Sequence, residues 1–577
     1  MLKHKRFMAL LLMVLTLLSM NIDSFVYADW TTSIYEEKKV TPIAKGVHHE
    51  NILRFTDTGW LNINVLRISL AEPSTSLELL MGPNGLGEKS RLSDMVSTNP
   101  NVVGAINGDF FMTNTASTIG PMVKDGQLIG TPSSRPEQLG TFNLSKDNLA
   151  SIAPWVSIRI DLKGKTTPFT QMVGLVNKES DYNGVVIAYT PHWGAKAPAP
   201  QPNVSNPMYV VVENDVVTEI SPATSEGKAI PAKGYVVLTT SSGSSNVSQN
   251  LLLGDEVELS YMVNPDLNNL QLTLGGGGVL VRNGAAVSAF THEITGIHPR
   301  TAIGVSQNRQ EVFFVTIDGR TASYTGVSQR DLANIMVYLG AFEAMNLDGG
   351  GSTEMILRPL GESNRKIVNT LSDGGERRLM NGIGVVSNAP AAELGGIQLS
   401  AADTNVFVNT SRELTLKAFD KNYNPFNLDP SQVSWQVSGV EGTVQGNTFR
   451  PASPGKATLT ASYNGISSSL QFHVLANPVA LQLSPATLTL GANSTHQIQA
   501  VLVNQDGYRA SIHPRELSFT IPSNLGSVDS SGIFRASGQG SSGLIQANYG
   551  SLAAYQAAVI GHQDRILGDF ETLMGTF

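Results

Sequence analysis

The sequence predicts an α+β mixed-sheet domain followed by two all-β, immunoglobulin-like sandwiches. Three observations carry that expectation. Between residues 51 and 390, stretches that alternate apolar and polar residues surround one amphipathic helical segment. After Pro390 the chain repeats itself, "IQLSAADTNVFV" (397–408) being echoed by "LQLSPATLTLGA" (481–492). The composition, 41% hydrophobic and 15% charged with 55 glycines and 28 prolines, describes a globular chain rich in strands and loops. At 577 residues it is too long for a single core.

Taken in order, Lys3, His4, Lys5 and Arg6 precede an apolar run from Phe7 to Met20, and Val26-Tyr27-Ala28 supplies a small-residue cleavage site. Residues 1–28 therefore read as a secretory signal peptide and 29–50 as a linker. The apolar run is shorter than the roughly 20 residues that cross a bilayer, and no later segment reaches that length, so no transmembrane segment is expected in the mature chain. There is no cysteine, which removes thiol catalysis, cysteine-bound metals and disulfide staples. An exported, disulfide-free chain suits a bacterial exterior, secreted or associated with the cell surface. The formal charge of −8 has no basic cluster beside it, so no nucleic-acid partner is expected.

Within residues 51–390, "NINVLRISL" (62–70), "YVVVEND" (209–215), "DEVELSYMV" (255–263) and "EVFFVTID" (311–318) read as strands. Ser328 and Asp331 form a capping-box-like start for a helix expected to run to about residue 343, with Leu332, Ile335, Met336 and Leu339 on one face. A weaker helix is expected near 90–97. The repeats span 391–476 and 477–563, pairing Leu399 with Leu483, Trp435 with Phe519, Val444 with Val528 and Tyr463 with Tyr549. Turn-rich joints between short strands are the sandwich signature. Residues 564–577 read as the start of a truncated further module, or else as a tail.

Chemistry concentrates in the first domain. "NLDGGGSTEM" (346–355) places two carboxylates around three glycines and two hydroxyls. "NGDFF" (107–111), "TLGGGGVLVRNG" (273–284), "HPRTAIG" (298–304) and "IDGR" (317–320) also set charged or amide side chains beside glycine or proline at strand ends. Singly these are ordinary turns. Together with the closing "NGIGV" (381–385), their order resembles the phosphodiester glycosidase family, over roughly residues 51–387. That resemblance implies an exo-acting hydrolase that removes a sugar, N-acetylglucosamine-like, linked through its anomeric carbon to a phosphodiester. Mammalian members of the family carry disulfides and a membrane tether, which this chain lacks, so its substrate need not be theirs.

The reaction explains the residue types. The leaving group is a phosphate monoester with a second pKa of about 6, which departs with little proton donation. An alcohol leaving group would need a strong general acid. The demand shifts to clamping the phosphate and facing the developing oxocarbenium ion with a carboxylate. Arg300 and Arg320 match phosphate geometry. Gly349, Gly350 and Gly351 could form an anion-binding nest of N–H groups, with Ser352 and Thr353 adding hydroxyls. Asp348 is the expected carboxylate at the anomeric carbon. Glu354 is a further candidate, and Asp109 and Asp318 are candidates for the second carboxylate or for binding sugar hydroxyls. Asn107 is expected to hold an N-acetyl or hydroxyl group. No cofactor is required, although Asp109, Asp318 and Asp348 leave a divalent cation open. His298 reads as structural. The expected partner is a carbohydrate phosphodiester in wall polymer, capsule or exopolysaccharide. Two alternatives stand beside this reading: a metal-assisted phosphodiesterase that cleaves P–O at the same site, and a non-catalytic surface protein that binds glycan.

Overall fold

The computed structural model describes residues 32–561 except 114, 116, 134, 135, 181 and 182. The expected signal peptide and closing segment (564–577) lie outside these residues. The described chain is mostly β, with three α-helices, Leu92–Ser97, Ser241–Asn250 and Gln329–Tyr338. Its described residues divide into two compact units, those before Leu360 together with 363–390, and 360–362 together with those after Pro390.

In the first unit an eight-stranded antiparallel sheet runs in the order Ser33–Ala44, Val47–Thr56, Gly59–Ser69, Glu311–Ile317, Arg300–Val305, Glu343–Asn346, Val279–Arg282 and Ala285–Ala286. Period-two alternation gives it two apolar faces. Ile63, Val65, Phe313, Val315 and Ile317 pack with Leu332, Ile335 and Met336 of the helix Gln329–Tyr338. Leu66, Ile68, Val312, Phe314 and Ile303 enter a second core with Ile106, Met355, Ile383 and Val385. Those four belong to a five-stranded sheet ordered Lys366–Ile367, Met355–Leu357, Val102–Asn107, Asn381–Ser387, Thr75–Met81. The large sheet thus carries a helix on one face and a second sheet on the other. A third core, including Ile160, Val186, Val210 and Val237, is built from the strands between residues 157 and 264.

Two expectations need correction here. The stretch read as a linker forms, from Ser33, the edge strand of the large sheet. Its charged run hides the strand pattern, and charge is what an exposed edge favours; Lys38 pairs with Glu50 at 2.9 Å and Glu36 with Arg54 at 3.2 Å across the first two strands. The capped helix does start at the Ser328–Asp331 capping box. It ends at Tyr338, because Gly340 turns the chain with φ +93° and Glu343 already begins the next strand.

The second unit repeats one strand order twice. Asn405–Phe407 lies parallel to Ile466–Leu475, followed by Gly455–Tyr463 and Ser434–Ser438; Thr487–Leu490, Leu552–Ile560, Ser541–Tyr549 and Ser518–Thr520 reproduce the arrangement. Each residue pair matched in sequence falls on equivalent strands.

Candidate active site

The glycine-rich stretch is where the chain crosses from one sheet to the other. Strand Glu343–Asn346 leaves the large sheet and Met355–Leu357 enters the smaller one. Asn107, fully buried at the end of Val102–Asn107, holds the crossing together. Its amide donates to Asp348 O at 2.7 Å, and its Oδ1 accepts the Glu354 N–H at 3.1 Å and the Thr301 hydroxyl at 2.8 Å. Asn107 is therefore placed as a clip inside the protein, its amide turned to these partners rather than to the open position expected of a sugar ligand.

The loop is not an open nest either. The N–H of Gly349 donates to Asp348 Oδ1, that of Gly350 to Pro299 O, that of Ser352 to Gly349 O and that of Thr353 to Gly350 O. The 3₁₀ turn over Gly350–Ser352 takes up the Ser352 and Thr353 donors, while Asp348 and Pro299 meet those of Gly349 and Gly350. The glycines serve a different approach. Gly350, at φ +60°, would put a Cβ 3.0 Å from the Arg320 guanidinium. A Cβ on Gly351 would lie 2.1 Å from Arg377 and 2.2 and 2.4 Å from the two Asp373 carboxylate oxygens. Side chains thus lie directly on the main chain here.

Four carboxylates were expected, and each is placed differently. Asp348 is half-buried; burial pushes its pKa up, while the Ser352 hydroxyl, the Gly349 N–H and the charge of Arg377 hold it down. Asp109 is 3% exposed, accepts the Gly120 N–H at 2.7 Å through Oδ2, and leaves Oδ1 without a partner. Burial raises its pKa and the nearby Lys178 opposes the rise, while Asp348 adds to it. Asp109 and Asp348 thus share one electrostatic neighbourhood. Asp318 is fully buried and accepts from the Asn62 amide at 2.8 Å and the Thr370 N–H at 3.0 Å, with Oδ1 unpartnered. Glu354, 2% exposed, is pushed up to about 8, first by burial and then by the Glu376 carboxyl beside it. Glu376 is itself held by the N–H and hydroxyl of Ser93 at 3.1 and 2.9 Å. Among the described residues no three His, Asp or Glu side chains group as metal ligands, so Asp109, Asp318 and Asp348 do not meet as a set.

The arginines also divide. Arg300 is 1% exposed and donates to Val327 O, Ile294 O and Gly296 O at 3.1, 3.2 and 2.7 Å. It is placed as a buried strut for the loop ahead of its own strand, without the exposure expected of a phosphate clamp. Arg320 is exposed, lies against Gly350 and donates to His298 Nδ1 at 3.0 Å. Its φ of +56° is a left-handed conformation that costs an L residue on the order of 1 kcal/mol. Burial and the two neighbouring arginines lower the His298 pKa, so a neutral ring accepts that bond. Ser352 and Thr353 are each 1% exposed. The Ser352 hydroxyl lies 3.5 Å from Arg377, and Thr353 Oγ1 has no partner.

Four residues escaped the sequence reading. Arg377, Asp373 and Glu376 lie in "DGGERR" (373–378), which has the same charge-beside-glycine character as the other motifs. Lys178 gave no such signal. It is 1% exposed and donates to Thr118 O and, at 2.7 Å, to the Thr118 hydroxyl. Burial lowers its pKa, and the carboxyl of Asp109 opposes the fall.

Comparison with known proteins places part of this region in a known family. Residues 206–386 match the family described as phosphodiester glycosidase, and the chain carries a domain of that family. The matched segment includes His298, Asp348, Glu354, Arg377 and Asn381, and leaves Asn107, Asp109 and Lys178 outside. The SPbeta prophage-derived uncharacterized protein YomE of Bacillus subtilis is 32% identical over 84 residues, 15% of this chain and 12% of that protein. A hypothetical protein from Synechocystis has a similar fold, at 21% identity and TM-score 0.51, over 61% of this chain and 64% of that one. A protein described as exported, from Burkholderia pseudomallei, is similar at 16% identity and TM-score 0.53, over 63% and 98%. The catalytic domain of zebrafish N-acetylglucosamine-1-phosphodiester alpha-N-acetylglucosaminidase is more loosely alike, at 14% identity and TM-score 0.31, over 63% and 87%. The chain therefore spans a small part of its Bacillus relative and just under two thirds of the Synechocystis protein.

Proposed function

We propose that the first unit hydrolyses the anomeric C–O bond of a sugar 1-phosphodiester, with Asp348 as the carboxylate at the anomeric carbon. The observation that carries this reading is the pairing of Asp348 with exposed arginines across one glycine loop. Arg320 lies on Gly350 and Arg377 on Gly351, while the Arg377 charge favours the ionised form of Asp348. Arginine binds a phosphodiester bidentately, and an ionised carboxylate beside it stabilises positive charge as the C–O bond breaks. The phosphate leaves as a monoester that Arg320 and Arg377 neutralise, so no cofactor is needed. Water then adds at C1, activated by Asp348 directly or attacking a glycosyl-Asp348 intermediate. Asp109, in the field of Asp348 and backed by Lys178, is the second carboxylate of this reading, its buried Oδ1 having no hydrogen-bond partner within the protein. Asp318 and Glu354 support the loop from below, through Asn62 and Thr370 in one case and Glu376 in the other.

The wider setting belongs to the same proposal. The first unit is an α+β catalytic domain, and the repeats are immunoglobulin-like spacers of a secreted or surface-associated bacterial protein acting on wall or capsular polymer. No described helix is long and apolar enough to cross a membrane. The test is turnover of a synthetic N-acetylglucosamine-1-phosphodiester by the full chain and by Asp348→Asn. The variant is expected to fold normally and to lose about three orders of magnitude in kcat. Retention of more than about a tenth of the activity would remove Asp348 from the reaction.

A further inference from the structure

The loop that carries Arg377 already sets an anion against the glycine turn. Both carboxylate oxygens of Asp373 come so close to Gly351 that a Cβ there would sit 2.2 and 2.4 Å from them. Arg377 donates to Asp373 Oδ2 twice, from Nη2 at 2.6 Å and from Nε at 3.0 Å. Its Nη1 is 3.5 Å from the Ser352 hydroxyl, and its charge reaches Asp348. The guanidinium is therefore held by Asp373, with the proposed catalytic carboxylate within reach of its charge.

We infer that Asp373 occupies the place of the substrate's phosphoryl group in the unliganded protein, and that Arg377 exchanges Asp373 for phosphate when substrate binds. This rests on the phosphodiester reading above. A carboxylate and a phosphoryl group present the same face to a guanidinium, two oxygens accepting N–H bonds. Both partners of the pair have 41% exposed side chains, and ion pairs of that exposure contribute little to stability, so opening it costs little. The connecting residues permit the exchange. Gly374 has φ +73°, and an added Cβ on Gly374 or Gly375 would meet nothing within 4 Å. Open space around both glycines lets Asp373 swing away while Arg377 stays on the loop, at the cost of the Gly374 N–H bond to Leu371 O at 3.2 Å.

The exchange has a kinetic consequence. The product phosphate monoester carries more negative charge than the diester and would leave Arg377 slowly. Asp373, tethered four residues away, competes at high local concentration and displaces it. Asp373 thus lowers affinity for substrate and speeds product release at once.

The test uses inorganic phosphate as the probe, with binding measured by calorimetry on the full chain and turnover measured separately. Asp373→Asn is expected to tighten phosphate binding by about tenfold, equal to about 1.4 kcal/mol. It should lower KM and fail to raise kcat. Arg377→Gln should weaken phosphate binding by at least a similar factor, and in that background Asp373→Asn should have no further effect. Tighter phosphate binding in Asp373→Asn without any sugar release by the wild type would support the exchange and remove the glycosidase reading instead. Unchanged or weaker phosphate binding in Asp373→Asn would overturn the exchange, as would no phosphate binding by either protein or an Asp373→Asn effect that survives Arg377→Gln.

Discussion

Glu354 shows how one buried side chain links site chemistry to stability. Its folded-state pKa of about 8 lies above its ordinary value of 4.5, so folding favours the protonated form. The stability it contributes is complete below about pH 4.5 and is lost as pH rises through 8. Glu354→Gln keeps the shape and removes that dependence. It should match the wild type near pH 4 and exceed it by on the order of 2 kcal/mol at pH 9, measured by urea unfolding. Equal stability at both pH values would mean that Glu354 is ionised in the folded protein without penalty. At this scale the sequence was partly legible. Asp348, Asp109 and Arg320 could be picked out because each stands beside glycine at a strand end. Arg300 stands beside proline in the same way, yet its guanidinium is buried against three carbonyls. Residue type and spacing do not say which way a side chain turns. Lys178 shows the converse, because burial alone makes it notable.

The crossing between the sheets is the element on which the site depends. Asn107 joins Asp348 and Glu354 of the glycine loop to Thr301, so that three segments far apart in sequence, its own included, meet at one side chain. Asn107→Ala strands a buried N–H and a buried hydroxyl and is expected to cost about 3 kcal/mol in folding stability, with activity falling as the loop loosens. Thermal unfolding read beside Michaelis kinetics decides the matter. A raised KM at unchanged stability would return Asn107 to the role of sugar ligand. The strands Gly59–Ser69, Met208–Glu213, Val257–Asn264 and Glu311–Ile317 were legible to within a few residues because each alternates cleanly. Helix Ser241–Asn250, "SSGSSNVSQN", was not. Serine, glycine and asparagine are poor helix formers, and this helix is secured by the packing of Val247 in the third core. The edge strand from Ser33 was lost in the same way, its pattern overwritten by charges suited to solvent.

Across the whole molecule, the repeat in the second unit was legible because equivalent positions keep equivalent residue types, and the strand order recurs accordingly. The pairing of the two sheets in the first unit was not, since a strand pattern gives its own faces but not its neighbours. That pairing brings the Asp348 loop between Arg320 of one segment and Arg377 of another, which is the basis of the proposed cleavage at C1–O. The most direct measurement is hydrolysis of a synthetic N-acetylglucosamine-1-phosphodiester by the full chain in ¹⁸O-labelled water, analysed before the free sugar exchanges. Label in the anomeric hydroxyl is the expected result, because water attacks carbon and the phosphate leaves intact. Label in the phosphate would contradict the account, since water would then have attacked phosphorus and Asp348 would not face the anomeric carbon.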